Sequence, residues 1–150
     1  GLLAYGSRVR ARQLAQSGGL AGLSGIPGGD VRDIESAAAA GNADAALALE
    51  VFTRQVRKTI GAYAAAMGGL DAVAFTGGIG ENSARLRSAC CQNLEFLGVR
   101  LDAARNESGT GDRVVSAGDS AVAVVALSTN EELIVARRAY RCLAAAGLGD

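Results

Sequence analysis

Ala72-Val73-Ala74-Phe75-Thr76-Gly77-Gly78-Ile79-Gly80-Glu81-Asn82 is the stretch on which the reading of this 150-residue chain turns. A short apolar run meets three glycines within four positions. The pattern predicts a strand over 71–76, a glycine turn, and then a helix. Glycines leave backbone N–H groups uncovered, and a helix start adds unpaired donors and the positive end of a dipole. Such a turn can take an anion, most often a phosphate. It can equally be a tight β-to-α turn in which glycine only relieves crowding. Generic nucleotide patterns do not decide between the two. Gly78-Ile79-Gly80 supplies half of a G-x-G-x-x-G fingerprint, but Ser83 stands at the last glycine position. A Walker loop needs Gly-Lys-Ser/Thr, and the only lysine, Lys58, is distant.

Upstream of this stretch, residues 43–67 carry the clearest helical period in the chain. Leu49, Phe52, Val56, Ile60, Tyr63 and Met67 recur at spacings of three and four. Gly61 and nearby alanines are expected to let a neighbouring element come close. Gly68-Gly69 stops that helix, and Asn42 is placed to cap its start. Before it, Asp30 stands as an N-cap for a short helix over 31–40, with Asp33 three residues on. Residues 20–29, with Gly25, Pro27, Gly28 and Gly29, read as a loop. Residues 1–19 read as a lead-in with a short helix near 13–16. Its alternating Arg8, Arg10 and Arg12 suit a solvated face.

Downstream, Leu86, Cys90, Leu94 and Leu97 share one face of an expected helix over 83–97. Leu86 and Cys90 on that face read as core residues. Short strands are expected at 98–101, 113–116 and 121–127, a polar loop at 102–112, and a last helix at 129–146. Helices alternating with strands imply an α/β fold with a central sheet. Only two runs, 73–75 and 122–127, read as convincing core strands. The helices therefore have little sheet to cover, as in part of a larger domain with further strands upstream. The start at Gly1 instead of Met fits a processed or excised piece.

Composition narrows the classes. Fifteen basic and fifteen acidic residues cancel, so no net basic field points to nucleic acid. Fourteen of the basic residues are Arg, which reads as codon bias. With no histidine, Ser-His-Asp and Cys-His catalysis and His-containing zinc sites are excluded within this chain. Three cysteines without a C-x-x-C argue against a disulfide framework and for a reducing, cytoplasmic setting. No apolar run reaches the ~18 residues of a membrane span, and no signal peptide is visible.

Phe75-Thr-Gly-Gly-Ile-Gly-Glu-Asn82 resembles the adenosine-side signature of acetate kinases. Three further stretches agree in order: Leu20-Ala-Gly-Leu-Ser-Gly25 with Asp30-Val-Arg-Asp33; Ala48-Leu-Glu-Val-Phe52 with Ile60-Gly-Ala-Tyr63; and Leu94-Glu-Phe-Leu-Gly98 with Thr129-Asn-Glu-Glu-Leu133. The resemblance covers about residues 20–142. Gly80-Glu81-Asn82 favours the acetate/propionate branch over butyrate kinases. The resemblance implies the C-terminal part of an actin-like ATPase (ribonuclease H-like) domain, a mixed sheet flanked by helices. It implies a domain piece over 20–150, with the upstream strands and catalytic domain absent.

The same resemblance implies binding residues. Gly78, Ile79, Gly80, Glu81 and Asn82 match the nucleotide loop, and Ile79 is placed to face an adenine. Asp30 and Arg32 match a second nucleotide-contacting pair, through ribose hydroxyls and base stacking. For both, a helix cap or a solvated first-turn side chain is the plain alternative. Glu131 matches a Mg²⁺-associated glutamate, and Thr129-x-x-Glu132 forms a capping box beside it. The implied reaction is reversible transfer of the ATP γ-phosphoryl group to a short-chain carboxylate, in a full-length homodimer. No catalytic residue is assigned to this chain, which is expected to be inactive alone. A non-catalytic interaction module and a related propionate, butyrate, sugar or glycerol kinase are the alternatives.

Overall fold

The computed structural model describes residues 18–129 and 137–142. The elements in order are α1 (Gly19–Ser24), a 3-10 turn (Pro27–Gly29), α2 (Val31–Ala39), α3 (Ala43–Met67), β1 (Ala72–Phe75), α4 (Gly77–Asn82) and α5 (Ala84–Cys91). A 3-10 turn (Glu95–Leu97), α6 (Ala103–Glu107), β2 (Arg113–Val114) and β3 (Ala123–Ala126) follow. Residues 137–142 are helical. The fold is α/β with a mixed sheet flanked by helices. The strand order is β1-β3-β2. β1 and β3 run parallel, with Val73 opposite Val124, and β2 and β3 run antiparallel, with Val114 opposite Val125. The expected strand at 98–101 is reduced to single bridges, Val99 to Val122 and Leu101 to Ser116.

Two separate apolar clusters hold the fold. One gathers Val73, Cys91, Leu94, Val99, Val115, Val122, Val124 and Ala126 around the sheet. The other gathers Val31, Ile34, Ala45, Ala48, Leu49 and Leu86 where α2, α3 and α5 meet. This division corrects the expected helix over 83–97. α5 ends at Cys91, Gln92 turns to an extended ψ of 134°, and Asn93 takes a φ of 62°. The break lets Leu94 enter the sheet cluster while Leu86 stays in the helical one. One face in the sequence thus serves two cores.

Other expectations also shift. Residues 20–29 are not a plain loop, because Leu20 and Ile26 pack on the helical cluster and hold α1 in place. Ser24 Oγ donates to Leu20 O at 2.6 Å, and Gly25 closes the helix with a φ of 68°. The polar segment 102–112 contains α6, with Asp102 Oδ1 accepting from Arg105 N at 2.9 Å as its cap. On α3, Asn42 caps as expected. The apolar stripe is covered unevenly, however: Leu49 is buried and Ile60 packs on the sheet cluster, whereas Tyr63 is 64% and Met67 65% exposed. Among the described residues nothing stands within 4 Å of a Cβ built on Gly61, so none of them makes the expected close approach. Arg8, Arg10, Arg12 and the short helix near 13–16 lie outside the described residues, as does most of the expected last helix.

Candidate functional site

The glycine stretch is itself helical, which corrects the expected turn. β1 ends at Phe75, Thr76 takes the N-cap position, and α4 begins at Gly77. Gly77 has a φ of 70°, a left-handed value that lets the chain turn straight from strand to helix. Thr76 makes no side-chain capping bond, so the first-turn N–H groups of α4 are not capped by a side chain. Gly80 serves packing: a Cβ there would stand 3.0 Å from the carbonyl carbon of Phe75. Gly78 does the reverse, since a Cβ there would meet nothing within 4 Å among the described residues.

Ser83 breaks the helix with φ −100° and ψ 97°, and caps α5 by accepting from Leu86 N at 3.0 Å. The same hydroxyl donates to Glu35 Oε1 at 2.7 Å, which joins α2 to the α4–α5 junction across 48 residues of sequence. A groove of about 710 Å³ lies between these elements. Gly29, Asp30, Val31, Arg32 and Glu35 line one wall, and Gly78, Ile79, Asn82 and Ser83 line the other. Ile79 also packs against the helical cluster.

The structure therefore brings Asp30, Arg32, Gly78, Ile79 and Asn82 to one groove. Gly80 and Glu81 do not line it. Gly80 faces Phe75, and the Glu81 carboxylate accepts from Ser128 Oγ beyond the end of β3. Asn82 Nδ2 donates to Gly78 O at 2.9 Å, within its own helix. Glu131 and Glu132, the partner of Thr129 in the expected capping box, lie outside the described residues. Leu86 and Cys90 are core residues, 3% and 2% exposed. Burial pushes the Cys90 thiol up to about 11 and the Cys91 thiol up to about 12. Neither is a thiolate near neutral pH.

Asp30 acts as the cap of α2: its Oδ1 accepts from Arg32 N at 2.9 Å. Its carboxylate also takes a forked pair of bonds from the Arg32 guanidinium, Nε at 3.1 Å and Nη2 at 2.7 Å. The guanidinium first, then the backbone N–H, lower the Asp30 carboxyl to about 2. The Arg32 side chain is 84% exposed, folded back on Asp30 at the groove mouth. Cap and ion pair thus coexist in one carboxylate.

Four groove residues escaped the sequence reading: Gly29, Val31, Glu35 and Ser83. Glu35 sits one helical turn after Val31, the only signal that could have placed it there. Arg87 and Asn106 were missed as well. The Arg87 guanidinium is 1% exposed and donates to Gly80 O, Glu81 O, Asn106 Oδ1 and Asn106 O. Burial lowers its pKa, and the charge of Arg113 adds to the effect. A larger groove of about 920 Å³ runs along α5 and α6, and none of the described candidate binding residues from the sequence lines it. Volume alone is a poor guide here, because convergent polar groups from separate segments mark the smaller one. Among the described residues, no group of three or more His, Cys, Asp or Glu could hold a metal ion. No described helix is long and apolar enough to cross a membrane.

An α/β chain with a strand–glycine–helix wall facing a capped Asp-x-Arg wall matches one family throughout. The profile of the Acetokinase family matches residues 8–137. A propionate kinase of Citrobacter rodentium is 52% identical over 128 residues, 85% of this chain and 31% of its own length. An acetate kinase of Alkaliphilus metalliredigens is 49% identical, over 87% of this chain and 33% of its own. The crystal structure of Porphyromonas gingivalis acetate kinase matches with a TM-score of 0.75 at 41% identity, covering 81% of this chain and 31% of that one. That of a Francisella tularensis propionate kinase gives 0.76 at 32%, covering 91% and 36%. The chain belongs to the acetokinase family. It spans about a third of the length of the curated relatives it matches.

Proposed function

We propose that this chain holds the nucleoside half of the ATP/ADP site of a phosphotransferase whose acceptor is acetate or propionate. The observation that carries the reading is the groove in which Asp30 and Arg32 face Gly78, Ile79 and Asn82. Those residues come from two segments far apart in sequence, and both match the family. A nucleotide seated there would find an apolar side chain in Ile79 and a guanidinium able to leave Asp30 and stack or donate. It would find a carboxylate for ribose hydroxyls in Asp30, and room over Gly78. Gly80 and Glu81 belong to the reading as supports of the wall, one packing on β1 and one tied to Ser128.

The reaction of the whole enzyme is the reversible transfer of the γ-phosphoryl group to a carboxylate oxygen, giving an acyl phosphate and ADP. Such transfer depends on positioning and on cationic donors around the moving group. The proposal assigns those donors and the carboxylate pocket to the part of the relatives' length that this chain does not span. Mg²⁺ is fitted through few protein groups. Asp30 is occupied by Arg32, and the described residues hold no carboxylate cluster. Mg²⁺ keeps several waters and binds through substrate phosphates plus one or two carboxylates, and Glu131 is the carboxylate assigned. Bound there, it would neutralise phosphate charge.

Residues 1–19 are read as a lead-in and 20–150 as the nucleotide-binding part. The whole enzyme is read as a cytoplasmic homodimer. The exposed Tyr63, Met67 and Phe96 support the view that this part is covered in the intact molecule. The test pairs two assays on the 150-residue chain. Equilibrium dialysis should show saturable binding of ADP with Mg²⁺, and a coupled assay should show no acetate- or propionate-dependent ATP consumption. Turnover by the chain alone would refute the division of labour, and absence of binding would refute the site.

A further inference from the structure

The geometry points to Arg87 and Asn106 as positioning residues that hold α4, and with it one wall of the groove, in place. This rests on the reading of that groove as a nucleoside site.

α4 has only six residues, too few to be stable as a helix by themselves. Its carbonyls at Gly80 and Glu81 would bond to the N–H groups of Ala84 and Arg85 if the helix ran on. The extended backbone at Ser83 prevents that. Arg87 Nη1 takes the place of the missing turn, donating to Gly80 O and to Glu81 O at 2.8 Å each. The rest of the fork is fixed by Asn106: Nε donates to Asn106 Oδ1 at 2.8 Å and Nη2 to Asn106 O at 2.6 Å. Asn106 Nδ2 in turn donates to Ala84 O at 2.8 Å. The unit links the end of α4, the start of α5 and α6. Arg87 and Asn106 are 1% and 4% exposed, so none of these bonds competes freely with water.

The consequence lies in the groove. Without the clamp, the helix satisfies Gly80 O and Glu81 O by continuing through Ser83, which fuses α4 with α5. Ser83 then loses its extended conformation, its cap on Leu86 N and its bond to Glu35. Gly78, Ile79 and Asn82 rotate away from Asp30 and Arg32. A lysine cannot replace the guanidinium, because a point charge lacks the planar fork that serves four acceptors at once.

The test titrates ADP with Mg²⁺ into the 150-residue chain and its Arg87→Met, Arg87→Lys and Asn106→Ala variants, well below each melting temperature. Hydrogen exchange by mass spectrometry follows α4 and α3 in the same samples. Arg87→Met should weaken ADP binding at least tenfold and speed exchange in 77–82 by a larger factor than in α3. Asn106→Ala should act in the same direction by several-fold, and Arg87→Lys should fall nearer Met than wild type. A folded Arg87→Met or Asn106→Ala variant that binds within twofold of wild type overturns the inference. Should Arg87→Met not fold, Asn106→Ala decides by the same criterion. A wild-type chain that binds no ADP overturns the nucleoside reading instead. In that case faster α4 exchange in Asn106→Ala sustains the clamp, and unchanged exchange overturns it.

Discussion

The two walls of the groove are built on opposite terms. The α2 wall carries its polar groups in the open. Asp30 and Arg32 bind one another, and the Arg32 side chain is 84% exposed. The α4 wall offers Asn82 and Ser83, both already hydrogen-bonded, and its carbonyls are gripped from behind by a guanidinium only 1% exposed. One wall can rearrange around a ligand at little cost, while the other is fixed before any ligand arrives. Preorganisation on one side and adaptability on the other would suit the proposed grip on a base and a ribose.

Removing the buried anchor should have the largest effect. Arg87→Met removes a buried guanidinium that serves four acceptors and the α4–α5 break it holds, and should cost about 3 kcal/mol. A thermal melt should register this as a fall in Tm of more than about 6 °C. The paired glycines sharpen the contrast next. Gly80→Ala forces a Cβ to within 3.0 Å of Phe75 backbone and should destabilise by about 1–3 kcal/mol. Gly78→Ala meets open space and should be neutral or slightly stabilising, by up to ~1 kcal/mol. Equal effects at the two positions in urea unfolding would erase the distinction between packing and groove glycine.

How much of this could be read in the sequence follows the same divide. Local chemistry was legible: Asp30 and Asn42 as caps, Leu86 and Cys90 as core, β1 and β3 as the main strands. Those depend on neighbours in the chain. Long-range choices were not legible. The fork from Arg87 to Asn106 spans 19 residues, and one arginine among fourteen gives no sign that its charge is buried. The glycine stretch was read as a turn because glycine disfavours helix, and packing of Gly80 on Phe75 overrides that propensity. The stripe on α3 was overextended for the opposite reason: periodicity marks an apolar face but does not supply its cover. Tyr63 and Met67 lie exposed even though Ile60 on the same stripe packs on the sheet cluster.

On the open wall, effects on binding should exceed effects on stability. Asp30→Ala should lower the melting temperature modestly through loss of the α2 cap and weaken ADP binding several-fold, as dialysis would report. Acid should act likewise. The Asp30 carboxyl is held at about 2, below its ordinary value of 3.8, so its contribution is complete above about 4 and fades as pH falls toward 2. The smallest effect concerns the buried thiols. Their protonated form is favoured by the fold, so they add stability up to about pH 9 that is lost as pH rises toward 11–12. In the native chain Ellman's reagent should label the exposed Cys142 well before Cys90 or Cys91. Simultaneous labelling of all three at pH 8 would contradict the burial of α5.

The most direct measurement is an amide NMR titration of the uniformly ¹⁵N-labelled 150-residue chain with ADP and Mg²⁺. Saturable shifts should gather at Asp30, Arg32, Glu35, Gly78, Ile79, Asn82 and Ser83, and should vanish in Gly78→Val. Shifts gathering instead along the larger groove, at Arg85, Ser88 and Arg100, or no shifts at millimolar ADP, would contradict the placement of the nucleoside between the two walls.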